Sequence, residues 1–169
     1  TVENNTFNTN TTTQNGYVGV YVLNSDIENN EIYRNTFDKF YVGSQAAGIN
    51  GNGDYGPGSK GLEFRCNTYT NGRNHDILIS SGSINQTQGT CFSATSPSNN
   101  RFSYTTQIGD IWNDVLNTKS ISYQFSQPNG YNLAPRYYMT SPPNPIRYNH
   151  INTFPTICGS NFSPSTSCP

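Results

Sequence analysis

Ile32-Tyr33-Arg34-Asn35-Thr36-Phe37 is one copy of a phrase that this chain repeats. Val2-Glu3-Asn4-Asn5-Thr6-Phe7 precedes it. Phe64-Arg65-Cys66-Asn67-Thr68-Tyr69 and Pro97-Ser98-Asn99-Asn100-Arg101-Phe102 follow. The shared frame is Asn-x-aromatic, with an apolar residue three places before the asparagine in three of the four copies. The asparagines at 5, 35, 67 and 100 lie 30, 32 and 33 residues apart. A near-constant period of this size marks a repeat architecture, in which each unit buries its apolar face against its neighbours.

A second element accompanies the first. Gly19-Val20, Gly48-Ile49, Asp76-Ile77 and Asp110-Ile111 recur at gaps of 29, 28 and 34. Alternating runs lie nearby at Tyr17 to Val22, Gly61 to Phe64 and Asp76 to Ile79. Such alternation predicts half-buried strands, and the Gly, Asn and Ser clusters between them predict turns. Two or three short strands per repeat suit a solenoid of parallel strands, with equivalent residues stacked about 4.8 Å apart. Val20, Ile32, Phe37, Leu62, Phe64 and Tyr69 are then expected inside. Asn5, Asn35, Asn67 and Asn100 are expected to form a structural ladder, because an amide side chain donates to one neighbour and accepts from the other.

Composition agrees with an all-β chain. Asn occurs 25 times in 169 residues, whereas Leu occurs five times and Ala four. Turn and strand formers therefore dominate over helix formers. Hydrophobic content is 32%, but 12 Tyr and 9 Phe argue against disorder. Charged residues are 11% with a net charge of -1, so there is no basic field for nucleic acid. No apolar run is long enough for a transmembrane helix, and no direct membrane insertion is expected. The chain opens inside a repeat with no secretory leader, and we read it as a mature fragment or part of a longer polypeptide.

The frames at Val2 to Phe7 and Ile32 to Phe37, with Ile27-Glu28-Asn29-Asn30-Glu31-Ile32, resemble the parallel β-helix repeat of the pectate-lyase-like family. The stretches Cys66-Asn67-Thr68-Tyr69, Gly89-Thr90-Cys91 and Asn99-Asn100-Arg101-Phe102-Ser103 resemble repeat regions of large bacterial surface proteins exported by type IX secretion. The resemblance covers about residues 1–115. It implies a right-handed parallel β-helix of about four turns. It also implies a secreted or cell-surface setting, and either an adhesive role or activity on polysaccharides.

Residues 116–169 depart from the repeat. Eight of the ten prolines lie from Pro128 onward, and no acidic residue follows Asp114. Ser120 to Phe125 reads as one more strand. The remainder is expected to be an irregular cap or connector, since a solenoid end must be covered. Tyr131, Tyr137, Tyr138 and Tyr148 offer a sharper alternative, an aromatic strip that stacks on glycans. Four cysteines allow three pairings. We favour Cys66 with Cys91 and Cys158 with Cys168, because each closes a local loop. The spacings do not suit zinc, and disulfides belong to oxidising compartments.

Candidate chemistry is sparse. Glu63 and Arg65 flank Phe64 and are expected to point outward. His75 and Asp76 are adjacent, which would let the carboxylate orient the imidazole as a base. Against this, no carboxylate pair is visible from the spacings, and His75 is read as a surface loop residue. Asn50, Asn52 and Asp54 resemble the start of a calcium loop, but Tyr55 replaces the required glycine and no Glu closes it. That segment is read instead as a long turn. No metal or cofactor is implied.

The expectation is a structural, adhesive rod of an extracellular protein. Its partners would be adjacent domains, sister subunits in an oligomer or filament, or glycans. The alternative is a carbohydrate-binding module or a polysaccharide lyase or hydrolase using Glu63, His75 and Asp76.

Overall fold

The computed structural model describes residues 1–10, 17–54, 58–90, 97–103, 109–113, 121–125, 153–157 and 168, with backbone alone for 109–113, 122 and 153–157. Each of the first three repeats supplies three strands. The first gives β1 (Val2–Glu3), β2 (Thr6–Asn8) and β3 (Val18–Leu23). The second gives β4 (Asn30–Tyr33), β5 (Thr36–Asp38) and β6 (Val42–Ala47). The third gives β7 (Leu62–Arg65), β8 (Thr68–Thr70) and β9 (His75–Ile79). Then come β10 (Thr87–Gln88), β11 (Gly109–Asn113), β12 (Ile121–Phe125) and β13 (Thr153–Ile157). There is no α-helix among the described residues.

Strands of successive repeats pair in parallel. The sheets run β1-β4-β7, β2-β5-β8, β11-β9-β6-β3 and β10-β12-β13. The frame sets the register: Val2 lies opposite Ile32 and Ile32 opposite Phe64, while Phe7, Phe37 and Tyr69 form a second column. Thr68 bridges in parallel to Arg101, which extends this register to the fourth copy. Two strands, β12 and β13, lie within 116–169, so parallel pairing continues beyond the first 115 residues.

Corners between the strands have a common backbone solution. Asn4, Arg34, Cys66 and Asn99, each directly before a frame asparagine, have φ of 59°, 55°, 57° and 47°. Lys39 and Asn71 turn the chain after β5 and β8 with φ of 65° and 53°. Asn24, Gly48 and Gly82 share a third left-handed corner. Asn adopts this region readily, which explains part of its abundance. At Gly82 a side chain is also excluded by space, since an added Cβ would lie 1.9 Å from the Gly48 carbonyl oxygen.

One expected repeat element is corrected. Register places Val20 opposite Ser44, Ser44 opposite Ile77 and Ile77 opposite Ile111. Gly43-Ser44, and not Gly48-Ile49, is therefore the second member. The first repeat has a longer connection before β3, so Val18 and Val42 are 24 residues apart where the frame asparagines are 30 apart. Gly43 is needed where it sits. A Cβ there would lie 2.5 Å from the Tyr69 ring and 2.7 Å from the Asp76 carbonyl oxygen.

Among the described residues, the core is a cluster including Ile32, Phe37, Leu62, Phe64, Tyr69, Ile77, Ile79, Phe102, Ile121 and Tyr123. Val20, expected inside, is partly buried against it together with Val2, Phe7 and Val22.

Candidate functional site

The first corner carries two columns of side chains. The asparagine column is continuous. The backbone N–H of Asn5 donates to Asn35 Oδ1 at 3.0 Å, and its Nδ2 donates to the same oxygen at 3.1 Å. Asn35 repeats this toward Asn67, at 3.0 and 3.2 Å, and Asn67 toward Asn100, at 3.0 and 3.0 Å. In the last three asparagines, Nδ2 also reaches the carbonyl of the preceding repeat's apolar residue. Asn35 donates to Val2 O, Asn67 to Ile32 O and Asn100 to Phe64 O, at 2.8, 2.7 and 2.7 Å. At the far end the Tyr123 hydroxyl accepts from the backbone N–H and the Nδ2 of Asn100, at 2.9 and 3.3 Å. A phenol thus stands where a fifth asparagine oxygen would be.

The aromatic column runs beside it. Phe7, Phe37, Tyr69 and Phe102 stack with centroids 5.1, 5.2 and 6.3 Å apart and planes within 11° of parallel. The Tyr69 hydroxyl is buried and shares a hydrogen bond with Ser44 Oγ at 3.1 Å. Burial pushes its pKa well above the ordinary phenol value.

The residues considered for catalysis are not gathered in one place. Asp76 is 1% exposed, and its oxygens accept the backbone N–H and the hydroxyl of Ser103 at 2.7 and 2.9 Å. His75 is corrected from a surface loop to a buried strand residue, 4% exposed and opposite Val42. Glu63 and Arg65 occupy the outer face of the β1-β4-β7 sheet, as alternation predicts, and both are half-buried. Glu63 accepts from Asn85 Nδ2 at 2.7 Å. Burial pushes its carboxyl above the usual glutamate value, while Arg65 and a backbone hydrogen bond from Gly89 pull the other way.

Sequence spacing did carry one pair that went unread. Glu31 lies opposite Glu63 on neighbouring strands, each four residues before a ladder asparagine. Arg65 Nη1 is 2.6 Å from Glu31 Oε1. The Arg34 and Arg65 guanidinium groups lie 5.9 and 5.8 Å from the Tyr33 ring centre. The two glutamates stand on paired parallel strands, whose backbones lie about 4.8 Å apart. Glu31 is thus ion-paired with Arg65, while burial raises the neighbouring Glu63 carboxyl. The contact of Asn85 with Glu63 has no legible signal in the sequence.

The β2-β5-β8 face is polar. Asp38 accepts from Asn8, Thr70 and Asn71 at 3.0, 2.9 and 2.7 Å, with Lys39 Nζ at 3.5 Å. The Asn71 hydrogen bond leads the causes that hold its carboxyl below the ordinary value. A polar cleft of about 210 Å³ lies beside this face, lined by Arg34, Thr36, Thr68, Arg101 and the Cys66–Cys168 disulfide.

That disulfide corrects the expected pairing. Cys66 bonds Cys168, with Cα atoms 5.5 Å apart across a sequence separation of 102. Proximity along the chain is the wrong guide here, because Cys168 lies against Cys66 of the third repeat. Cys91 and Cys158 lie outside the described residues, as do Tyr131, Tyr137, Tyr138 and Tyr148.

The calcium-like residues hold a turn. Asn50 is buried, accepts from the Ser25 N–H at 2.9 Å and donates to Ala47 O at 2.7 Å. Asn52 Oδ1 accepts the N–H groups of Asp54 and Lys60, at 3.2 and 3.0 Å. No group of three or more His, Cys, Asp or Glu suited to a metal occurs among the described residues. No protein family, curated protein or solved structure matches the chain.

Proposed function

We propose that this chain is a right-handed parallel β-helix serving as a rigid, adhesive segment of an extracellular or cell-surface protein. The observation that carries this reading is the asparagine ladder through all four frames. Side chains at the most regular positions are consumed in holding repeats together, as a load-transmitting scaffold requires. Asp76 and His75 are buried in the same scaffold, which favours a structural role for them. The Cys66–Cys168 bond suits an oxidising setting. A polar, weakly charged surface suits glycans or sister subunits over ionic partners.

Protease shaving of intact source cells tests the reading. Release of peptides from this chain is expected, and recovery solely after lysis would overturn a surface role. A glycan array tests adhesion, with retention expected to weaken in a Tyr137→Ala, Tyr138→Ala variant.

The Glu31/Glu63 pair favours a second reading, polysaccharide hydrolysis with Glu63 as acid and Glu31 as its partner. It requires polymer cleavage that is lost in both Glu31→Gln and Glu63→Gln. Cleavage absent with and without calcium removes it.

A further inference from the structure

The polar cleft beside the β2-β5-β8 face is walled by residues that break the repeat. The place directly before the ladder asparagine is Asn in the first and fourth frames, Arg34 in the second and Cys66 in the third. That place is a left-handed corner, which suits Asn better than Arg, and Arg34 sits there with φ of 55°. The place directly after the asparagine is Thr6, Thr36 and Thr68 in the first three frames and Arg101 in the fourth. The scaffold has no use for either charge. Both arginines nonetheless line one cleft of about 210 Å³. Thr36 pairs in register with Thr68, and Thr68 with Arg101. The order along the stack is therefore Arg34 with Thr36, then Thr68, then Arg101. No carboxylate lines the cleft among the described residues. Both arginines are exposed, and neither ion pair among the described residues involves Arg34. Asn35, also in the lining, has its amide consumed by the ladder.

We propose that this cleft binds a sulfate ester carried on a glycan. The inference rests on the glycan-adhesion reading and names the class of glycan. Guanidinium forks donate paired N–H groups to oxyanions. A carboxylate offers two oxygens in one plane. A sulfate ester offers three around a tetrahedron, and so meets donors that converge from two arginines two repeats apart and from the threonine hydroxyls between them. The cleft is smaller than pockets for drug-sized ligands, which suits one anionic group on a sugar. A net charge of -1 leaves no extended basic field, which sets nucleic acid aside as the source of the anion.

The test is binding of the full, oxidised chain to dextran sulfate, beside plain dextran and carboxymethyl dextran, with NMR of the arginine side-chain N–H groups. Expected are binding to dextran sulfate, weaker binding to carboxymethyl dextran, none to dextran, and shifts of the Arg34 and Arg101 signals. Arg34→Asn and Arg101→Thr install residues that other frames carry at the same places, so both variants keep the fold. Each should lower the affinity for dextran sulfate roughly tenfold. Lys60→Gln, which removes an exposed cation outside the cleft, should leave it unchanged. No binding to dextran sulfate, binding to carboxymethyl dextran that is as tight, or an equal loss in Lys60→Gln would each overturn the proposal. So would saturation by inorganic sulfate or phosphate with no added affinity for the polymer, because the ligand would then be a free anion. A chain that ignores dextran sulfate but is retained on neutral glycans would lose this site and keep its adhesive role, so the two readings fail separately.

Discussion

Asn5 and Asn67 hold the same place in the same frame, yet one is exposed and the other fully buried. Asn67 receives two hydrogen bonds from the repeat before it and gives three, one to Ile32 O and two to Asn100 Oδ1. Asn5 receives none from the described residues and gives to Glu3 O and Asn35 Oδ1. The energetic worth of a repeat residue is therefore set by whether a neighbour stands on both sides. Among the described residues, the strands of the first repeat have a neighbour on one side. The third and fourth are held by ladder, core and disulfide together.

The largest expected effect separates those ends. Reducing Cys66–Cys168 releases a constraint across 102 residues, and should cost about 5 kcal/mol by loop-closure entropy. The amides of Cys66, Ser98 and Arg101, hydrogen-bonded at this end, should then lose exchange protection. Those of Val20 to Leu23 should change little. Equal loss at both would mean that the whole stack opens as one unit.

Next comes the direct comparison of the two asparagines. Asn67→Ala strands a buried backbone N–H on Asn35 and a buried carbonyl on Ile32, and should cost about 3 kcal/mol in urea denaturation. Asn5→Ala keeps the backbone N–H bond to Asn35 Oδ1 and removes only the exposed Nδ2 donor, which water replaces, and should cost about 1 kcal/mol or less. Similar losses in the two variants would contradict the claim that neighbours on both sides set the value. Gly43→Ala belongs between them, at about 2 kcal/mol, because the new methyl group meets the Tyr69 ring and a backbone oxygen.

These contrasts also explain what the sequence made legible. Ladder and stack were readable because the same residue types recur at the pairing register, so Asn35 predicts Asn67 without knowledge of the fold. Tyr123 was not readable as the ladder's last acceptor, because a phenol hydroxyl replaces an amide oxygen there. Gln88 hides in the same way. Its side-chain amide accepts the Phe64 N–H and donates to Leu62 O, doing at the edge of β7 what a strand backbone would do. Gly43-Ser44 was missed because a longer loop shifted the spacing, and the identical dipeptide type at Gly48-Ile49 offered a false match. The Cys66–Cys168 bond joins residues 102 apart in the sequence, and local spacing carries no record of such a pairing.

The smallest expected effect concerns Glu63, whose position on the third repeat lies under Asn85 and Gly89. Burial raises its folded pKa above the unfolded value of 4.5. For a raised carboxyl the folded state favours the protonated form. Its stabilising contribution is therefore complete below the unfolded pKa and is lost as pH rises through the folded one. Glu63→Gln keeps an oxygen for the Asn85 amide and removes the titration. The variant should match the parent near pH 4 and exceed it at pH 7, by less than about 1 kcal/mol, since Arg65 and solvent screen the charge. Urea midpoints of both proteins across pH 4 to 7 measure this. A parent that gains on the variant as pH rises would show that Arg65 outweighs burial at this site. Glu31, which faces the same guanidinium at 2.6 Å, would then share its partner with Glu63, and the two carboxylates would have to be treated as one ion-paired cluster instead of an acid beside a base.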